Sequence, residues 1–245
     1  MKEGAAEAAI FDRLVSVVIP CFNEAATIEA QIRRVLAMRA LGLELEVLVV
    51  DDGSVDGSDG ILARLAEREA ALHVIRHDRN LGKGAALRSG FRAAAGEVVL
   101  VQDADLEYDP AEYPKLLGPI ARGLADVVYG SRFRGGEEVR VLYFWHSVAN
   151  RALTLLSNVF SDFNLTDVET GFKVFRRSLL DGLPLRENRF GFEIEVTARL
   201  ARLRPRPRVY EVGISYQGRT YAEGKKIRLR DALRALYCII RYSIR

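Results

Sequence analysis

Apolar and polar positions in the first half of the chain alternate between two periods. Leu14 to Pro20 is a β-branched run (Val15, Val17, Val18, Ile19) closed by Pro20, which predicts a strand buried on both faces. Ala25 to Ala40 then places Ile28, Ile32, Val35 and Leu36 at helical spacing, with Asn23 as the expected N-cap. The alternation continues with strands over Leu45 to Val50, His73 to Arg76, Glu97 to Gln102 and Ala125 to Tyr129. The intervening helices are expected over Gly60 to Ala71, Gly84 to Ala95 and Pro110 to Arg122. Right-handed β-α-β crossovers turn such a pattern into a mostly parallel twisted sheet with helices on both faces, an α/β domain that binds ligands beyond the carboxyl ends of its strands.

Past Arg132 the period changes. Helices are expected over Val148 to Phe160, Phe192 to Leu203 and Leu229 to Arg245, strands over Gly171 to Arg176 and Val209 to Tyr216, the latter at an edge, and a basic loop over Thr220 to Arg228. There is no internal repeat, and Arg204-Pro205-Arg206-Pro207-Arg208 reads as a stiff connector rather than a domain linker. The organisation expected is an N-terminal extension over 1–13, one domain over 14–230 divided near 132, and a C-terminal amphipathic helix over 231–245.

Composition narrows the class. With 245 residues, 49% hydrophobic and 28% charged, the chain has the balance of a folded protein that needs no disulfides. Cys21 and Cys238 lack metal-ligand or redox spacing, and a reducing, cytoplasmic setting is expected. Met1 to Leu14 lacks the pattern of a secretory signal, and no apolar stretch approaches the roughly 20 residues of a membrane span. The net charge is only +3, but it is uneven. From Arg199 onward 11 Arg and 2 Lys face Glu211, Glu223 and Asp231, a net of +10. Such a tail is either a set of solvated helix faces or a cationic surface for phosphates or anionic headgroups.

The candidate chemistry falls at strand ends. Gln102-Asp103-Ala104-Asp105-Leu106-Glu107 follows an apolar strand and spaces carboxylates two apart, which suits a hard divalent cation that bridges carboxylates to substrate phosphates. Asp51-Asp52-Gly53-Ser54 ends another strand with a tight turn and carboxylates able to accept from a base N–H or a ribose hydroxyl. Asn80-Leu81-Gly82-Lys83-Gly84-Ala85 opens a helix and could offer backbone N–H groups and one lysine to an anion, though it lacks Walker A spacing. His73 and His77 are read as structural.

These motifs, with Ile19-Pro20-Cys21-Phe22-Asn23-Glu24 and Gly130-Ser131-Arg132, occur in the order and spacing of family 2 inverting glycosyltransferases. Over about residues 14 to 230 the chain most resembles the polyprenol-phosphate sugar synthases, the group that includes dolichol-phosphate mannose synthase and dolichol-phosphate glucosyltransferase. The resemblance implies a nucleotide-diphospho-sugar transferase domain of the GT-A, Rossmann-like kind. It implies that Pro20, Asn23, Glu24 and Asp52 contact the nucleoside, with Lys83, Gly84 and Ala104 also lining the donor site. Asp103 and Asp105 would reach the diphosphate through Mg²⁺ or Mn²⁺, with Glu107 as a third metal neighbour, and Arg219 and Lys226 would close over it. Arg132, Asn150 and Arg151 would face the acceptor phosphate. His146 stands where the mannose synthases often carry a basic residue.

The activity so implied is transfer of a hexose from GDP-mannose or UDP-glucose to a polyprenyl or dolichyl monophosphate, with inversion at the anomeric carbon. An anionic acceptor oxygen would need no strong base. Peripheral attachment to the cytoplasmic face of the membrane is expected through the Val148–Phe160 and Leu229–Arg245 helices, unless these pack on the protein's own sheet or on a partner. Trp145 with Tyr143 and Phe144 is either an interfacial anchor or core. A membrane-embedded partner or a second copy of the chain is compatible with this reading, and no nucleic-acid partner is expected. Two rivals stand beside it: transfer to a soluble or saccharide hydroxyl with Asp167 or Glu193 as base, and a nucleotide-sugar-binding module without turnover.

Overall fold

The computed structural model describes residues 11, 13–135, 138–141, 143–219 and 229–243, with the backbone alone for 229–232 and 243. Its strands are β1 (Val15–Cys21), β2 (Leu45–Asp51), β3 (Leu72–Arg76), β4 (Val98–Val101), β5 (Val127–Ser131), β6 (Lys173–Arg176) and β7 (Val209–Gly213). Its helices are α1 (Ile28–Ala37), α2 (Ser58–Ala66), α3 (Lys83–Ala93), α4 (Tyr113–Ala121), α5 (Phe144–Ser161), α6 (Arg177–Asp181), α7 (Phe192–Arg202) and α8 (Leu229–Ser243). The strands form one 7-stranded sheet in the order β3-β2-β1-β4-β6-β5-β7.

Both faces of the sheet are covered, as the continuous apolar runs require. Val17, Ile19, Val98 and Leu100 meet Ile28, Ile32 and Val35 of α1, Leu62 of α2 and Leu117 of α4 on one side. Val18, Val99 and Val101 meet Leu87 and Phe91 of α3, Phe192 and Val196 of α7, and Ala235, Cys238 and Ile239 of α8 on the other. The C-terminal helix therefore completes the core rather than standing apart from it. The sheet order turns back between β1 and its neighbours β2 and β4, so the loops leaving β1 and β4 diverge and open a crevice at the carboxyl edge.

β6 is the exception to parallel pairing. It runs antiparallel to β4 and to β5, with Lys173 opposite both Val101 and Tyr129. An antiparallel strand begins where its neighbours end, so the 167–173 segment is delivered to the catalytic edge of the sheet instead of the far one. Helix starts also differ from the periodicity. α1 begins at Ile28 behind Thr27, because Asn23 adopts a left-handed φ of 52° and its Oδ1 accepts from Val55 N at 2.9 Å, so it is not the N-cap. α5 begins at Phe144, four residues before the expected Val148.

Leu100 is fully buried in the central strand. Leu100→Ala is expected to lower unfolding stability by about 2–5 kcal/mol, read as a lower urea midpoint at unchanged m-value.

Candidate active site

The loop after β4 is shaped from below. Gln102 is fully buried, its Nε2 donates to the carbonyls of Asp103 (3.1 Å) and Tyr108 (3.3 Å), and its Oε1 accepts from Tyr113 Oη at 2.8 Å. Leu106 takes a left-handed φ of 64°, which lets the chain reverse within the acidic motif. Asp103, Asp105 and Glu107 consequently face the crevice. Ala104, expected among the donor contacts, instead buries its methyl in the core, so its side chain is unavailable to a ligand.

Each carboxylate of the motif already has a protein cation. Lys83 Nζ lies 2.7 Å from Asp103 Oδ1, and Arg219 Nη2 lies 2.7 Å from Asp105 Oδ2. Arg219 also reaches Glu107 through Nε (3.1 Å) and its backbone N–H (2.9 Å), and Glu24 Oε2 through Nη1 (3.5 Å). Glu107 gives its second oxygen to Tyr216 Oη at 2.6 Å. The residue expected as a third metal neighbour is thus, in this arrangement, the brace that aims Arg219. Burial first, then the charges of Asp103 and Glu107, push the Asp105 carboxyl up to about 7 against the pull of Arg219.

Behind Asp103 the charges continue inward. Lys83 contacts Glu193 Oε1 at 3.2 Å, and Glu193 Oε2 lies 2.5 Å from Lys173 Nζ. Lys173 has no solvent exposure, and its ammonium also donates to the carbonyls of Val168 (3.1 Å) and Thr170. Burial works against the charge of Lys83, but Asp103 and Glu193 outweigh it and hold the ammonium well above the ordinary lysine range. Gly171 completes this corner, since a Cβ there would overlap the Asp103 carboxylate.

The loops on the nucleoside side hold one another. Asn23 N–H donates to Ser54 Oγ (3.0 Å), Glu24 N–H to Ser58 Oγ (3.1 Å) and Ala25 N–H to Asp56 Oδ2 (2.9 Å), which fixes the turn after Pro20 to the turn after β2. Asp52 accepts from Leu81 N (2.9 Å) and Gly82 N (2.7 Å), and its Oδ1 lies 2.7 Å from His77 Nδ1, whose Nε2 meets Ser89 Oγ at 2.9 Å. The carboxylate expected at the nucleoside is spent on positioning the 80–84 loop. Much of the anion cradle suggested by that loop's sequence is filled from within the protein. The N–H groups of Leu81 and Gly82 serve Asp52, Ala85 N–H serves the Asn188 carbonyl, and Gly84 packs against the Glu187 carbonyl, where a Cβ would clash. Its contribution to the crevice is the Lys83 ammonium.

On the acceptor side Arg132, at the end of β5, forms a two-pronged pair with Asp167 (Nε to Oδ2 2.6 Å, Nη2 to Oδ1 2.7 Å), and Asn150 Nδ2 donates to Asp167 Oδ1 at 3.0 Å. The Arg132 guanidinium lies 5.1 Å from the centroid of Tyr216, and among the described residues its Nη1 makes no hydrogen bond. Arg151 is exposed, 5.8 Å from the Phe133 ring. Glu169, absent from the expected site, stands between these groups. Its Oε1 is sealed from solvent without a hydrogen-bond partner among the described residues. Burial, then Glu193, raise its carboxyl to about 7. The visible signal was its place two residues after Asp167, but spacing alone does not distinguish a free carboxyl from a paired one. Lys226 lies outside the described residues.

Among the described residues no three His, Cys, Asp or Glu side chains already converge as a cation cage. The donor chemistry nevertheless fits Mg²⁺ or Mn²⁺. Asp103 and Asp105 are hard oxygen donors at a crevice, and burial together with the neighbouring acids holds the Asp105 carboxyl up despite Arg219, a balance that a divalent cation would relieve.

A crossover sheet with acidic motifs at the carboxyl ends of its strands, open at the topological switch point, defines a nucleotide-binding α/β domain of the sugar-transferase type. Residues 16–183 match glycosyl transferase family 2, and the chain belongs to that family. It is 32% identical over 223 residues to an undecaprenyl-phosphate mannosyltransferase of Micrococcus luteus, covering 86% of each chain. It is 30% identical to a dolichol-phosphate mannosyltransferase of Pyrococcus furiosus, over 94% of this chain and 64% of that one. It is 34% identical to an undecaprenyl-phosphate 4-deoxy-4-formamido-L-arabinose transferase of Pseudomonas paraeruginosa, over 69% of this chain and 49% of that one. The chain thus spans about half to two thirds of the length of several curated relatives. The fold is shared with glucosyl-3-phosphoglycerate synthase of Mycobacterium tuberculosis, solved with Mn²⁺ and UDP (TM-score 0.73, 22% identity, 97% of this chain and 82% of that one).

Gly171→Ala is expected to leave the fold intact by circular dichroism while displacing Asp103, with turnover falling at least about 100-fold, the scale of a misplacement near 1 Å. Glu169 gives a pH signature. Its folded pKa of about 7 lies above the ordinary glutamate value of 4.5, so its contribution to stability is present below about pH 4.5 and is lost as pH rises through about 7. Glu169→Gln is therefore expected to raise the melting temperature relative to the parent at pH 8 and to give no gain at pH 4.5, as read by scanning calorimetry.

Proposed function

We propose that this protein transfers a hexose from a nucleotide-diphosphate sugar to a polyprenyl monophosphate, with inversion and divalent-metal assistance, at the crevice between Asp103, Asp105, Lys83, Arg219 and Arg132. The observation that carries the acceptor class is the state of the expected bases. Asp167 is locked by Arg132 and Asn150, and Arg132 with those hydrogen bonds holds its carboxyl, against burial, below the usual range. Glu193 is locked between Lys83 and Lys173. Neither can take a proton from a hydroxyl without breaking a buried ion pair, whereas a phosphate acceptor arrives already ionised. The names of the curated relatives, undecaprenyl-phosphate and dolichol-phosphate transferases, support the same class.

A divalent cation held by Asp103 and Asp105 would neutralise the diphosphate as the bond to the anomeric carbon breaks. The protein's own cations divide the remaining work. Arg219, released from Asp105, is placed to follow the diphosphate, with Glu107 and Tyr216 keeping its backbone in reach. Lys83 stays on Asp103 and sets its orientation. Arg132, through Nη1, holds the acceptor phosphate by a charge-assisted hydrogen bond.

The reading includes a membrane surface. Phe144 (69%), Trp145 (75%), Leu155 (66%) and Val159 (69%) of α5, with Leu233 (64%) of α8, are exposed and lie on two helices that pack together. Among the described residues no helix is long and apolar enough to cross a membrane. This face is suited to lie in the interface where a lipid acceptor is met. A second reading, transfer to a hydroxyl, is favoured by Glu169 alone, whose buried Oε1 has neither a hydrogen bond nor an ion pair among the described residues.

The test is a donor screen with GDP-mannose and UDP-glucose, Mg²⁺ or Mn²⁺, and a short polyprenyl phosphate. Lipid-extractable sugar is expected from one donor and is expected to fall by about 10³ or more in Asp105→Ala, the scale of lost electrostatic stabilisation. In Glu169→Gln, transfer to the lipid phosphate is expected to persist. Its loss there, with the fold intact, would move the assignment to a base-dependent hydroxyl acceptor.

A further inference from the structure

At the far end of α7 a second cluster of charge has no place in the reaction. A hollow of about 140 Å³ is lined by Arg186, Arg199, Arg202, Arg241 and Tyr242. It is separate from the crevice, since Glu193 meets Lys83 at the start of α7 and Arg202 lies nine residues further, about 13 Å along the axis. The arginines come from three places: the turn before α7, the last turns of α7 itself and the C-terminal turn of α8.

Three other arginines of the same C-terminal region are neutralised. Arg206 pairs with Asp162 at 3.0 Å, Arg208 with Asp126 at 2.8 Å and Arg234 with Glu187 at 2.8 Å. Those in the hollow are not. Among the described residues Arg186, Arg202 and Arg241 make no ion pair, and Arg199 has only a 3.4 Å contact with Glu195 Oε1, a carboxylate whose other oxygen is used by the backbone N–H groups of Arg186 and Glu187. The Nε of Arg199 is sealed from solvent without a hydrogen-bond partner among the described residues. Tyr242 forms the floor, its hydroxyl donating to Glu187 at 2.8 Å and its ring 4.9 Å from the Arg199 guanidinium and 5.9 Å from that of Arg241. Burial, then the charge of Arg199, lower the affinity of Arg202 for its proton.

Four guanidinium groups around one hollow repel one another, and the only carboxylate touching them among the described residues is already shared. Planar guanidinium forks match the oxygens of a phosphate, and a hollow of this volume holds one phosphate with its water, each water taking about 30 Å³. We propose that this hollow is a binding site for a phosphate group, distinct from the reaction centre. The group can come from a membrane lipid headgroup, since Ile240 beside Arg241 belongs to the exposed apolar stripe of α8 (Leu233, Leu236, Tyr237, Ile240), or from a free phosphate compound.

The test compares the parent chain with Arg202→Gln/Arg241→Gln, which removes charges that make no ion pair, and with Arg39→Gln/Arg204→Gln as a charge-matched control on exposed positions. Each is titrated, with chelator present, with inorganic phosphate by calorimetry and with phosphatidylcholine vesicles with and without phosphatidic acid by flotation. Loss of two charge-assisted donors predicts about tenfold weaker binding in the first variant and less than about twofold change in the control. A loss confined to phosphatidic-acid vesicles assigns the site to a lipid headgroup, and a loss confined to inorganic phosphate assigns it to a free anion. Equal binding of both probes by all three proteins, or an equal loss in the control, overturns the proposal.

Discussion

The Lys83 ammonium bridges Asp103 at the crevice and Glu193 beneath it, and the geometry of the reaction centre depends on that bridge. Glu193 is in turn held by Lys173, a lysine with no exposure at all, so charges alternate from the crevice into the core. A buried ion taken out of such a chain leaves its neighbour uncompensated, at a cost of about 3–5 kcal/mol. The Asp103 carboxylate is therefore not a surface side chain free to rotate. It is the outer end of a ladder anchored in α3, α7 and β6, pressed on its other side by Gly171.

The reversed direction of β6 makes this ladder reachable. Had β6 run parallel to its neighbours, Lys173 and the segment before it would lie at the opposite edge of the sheet. Instead Asp167, Glu169 and Lys173 join Asp103 and Arg132 at the end where β4 and β5 finish. The two halves of the domain thus contribute to one crevice, the first with donor-side loops braced by Asp52 and His77, the second with the Arg132–Asp167 pair and Arg219. Arg219 spans both halves, since it touches Glu24 after β1 and Asp105 after β4.

Much of the fold was legible because its central strands are buried on both faces and read as apolar runs such as Val98 to Val101. The strand-end placement of Asp51, Asp103 and Arg132 followed from the same runs. The direction of β6 was not legible, since Lys173 to Arg176 has the same composition in either orientation. Nor was the use of each polar group. Asp52 and the N–H groups of Leu81 and Gly82 looked like separate ligand contacts and satisfy one another, because a contact 30 residues away in sequence leaves no local pattern. Glu169 and Asp167 sit two apart with the same chemistry, yet one is paired and one is not, which only the position of Arg132 decides. The arginines of α7 and α8 were visible as excess charge, and their convergence on one hollow depends on how the two helices pack.

In the proposed reaction Asp103 and Asp105, crowded at the end of β4, are cation ligands shared with the diphosphate. Titration of Mn²⁺ followed by electron paramagnetic resonance, with and without nucleoside diphosphate, measures this directly. Weak binding to the protein alone is expected, with at least about tenfold tighter binding in the presence of the diphosphate, as charge and ligand count require, and loss of that gain in Asp103→Asn and Asp105→Asn. Mn²⁺ binding that is indifferent to the diphosphate, or unchanged in both variants, would contradict this role.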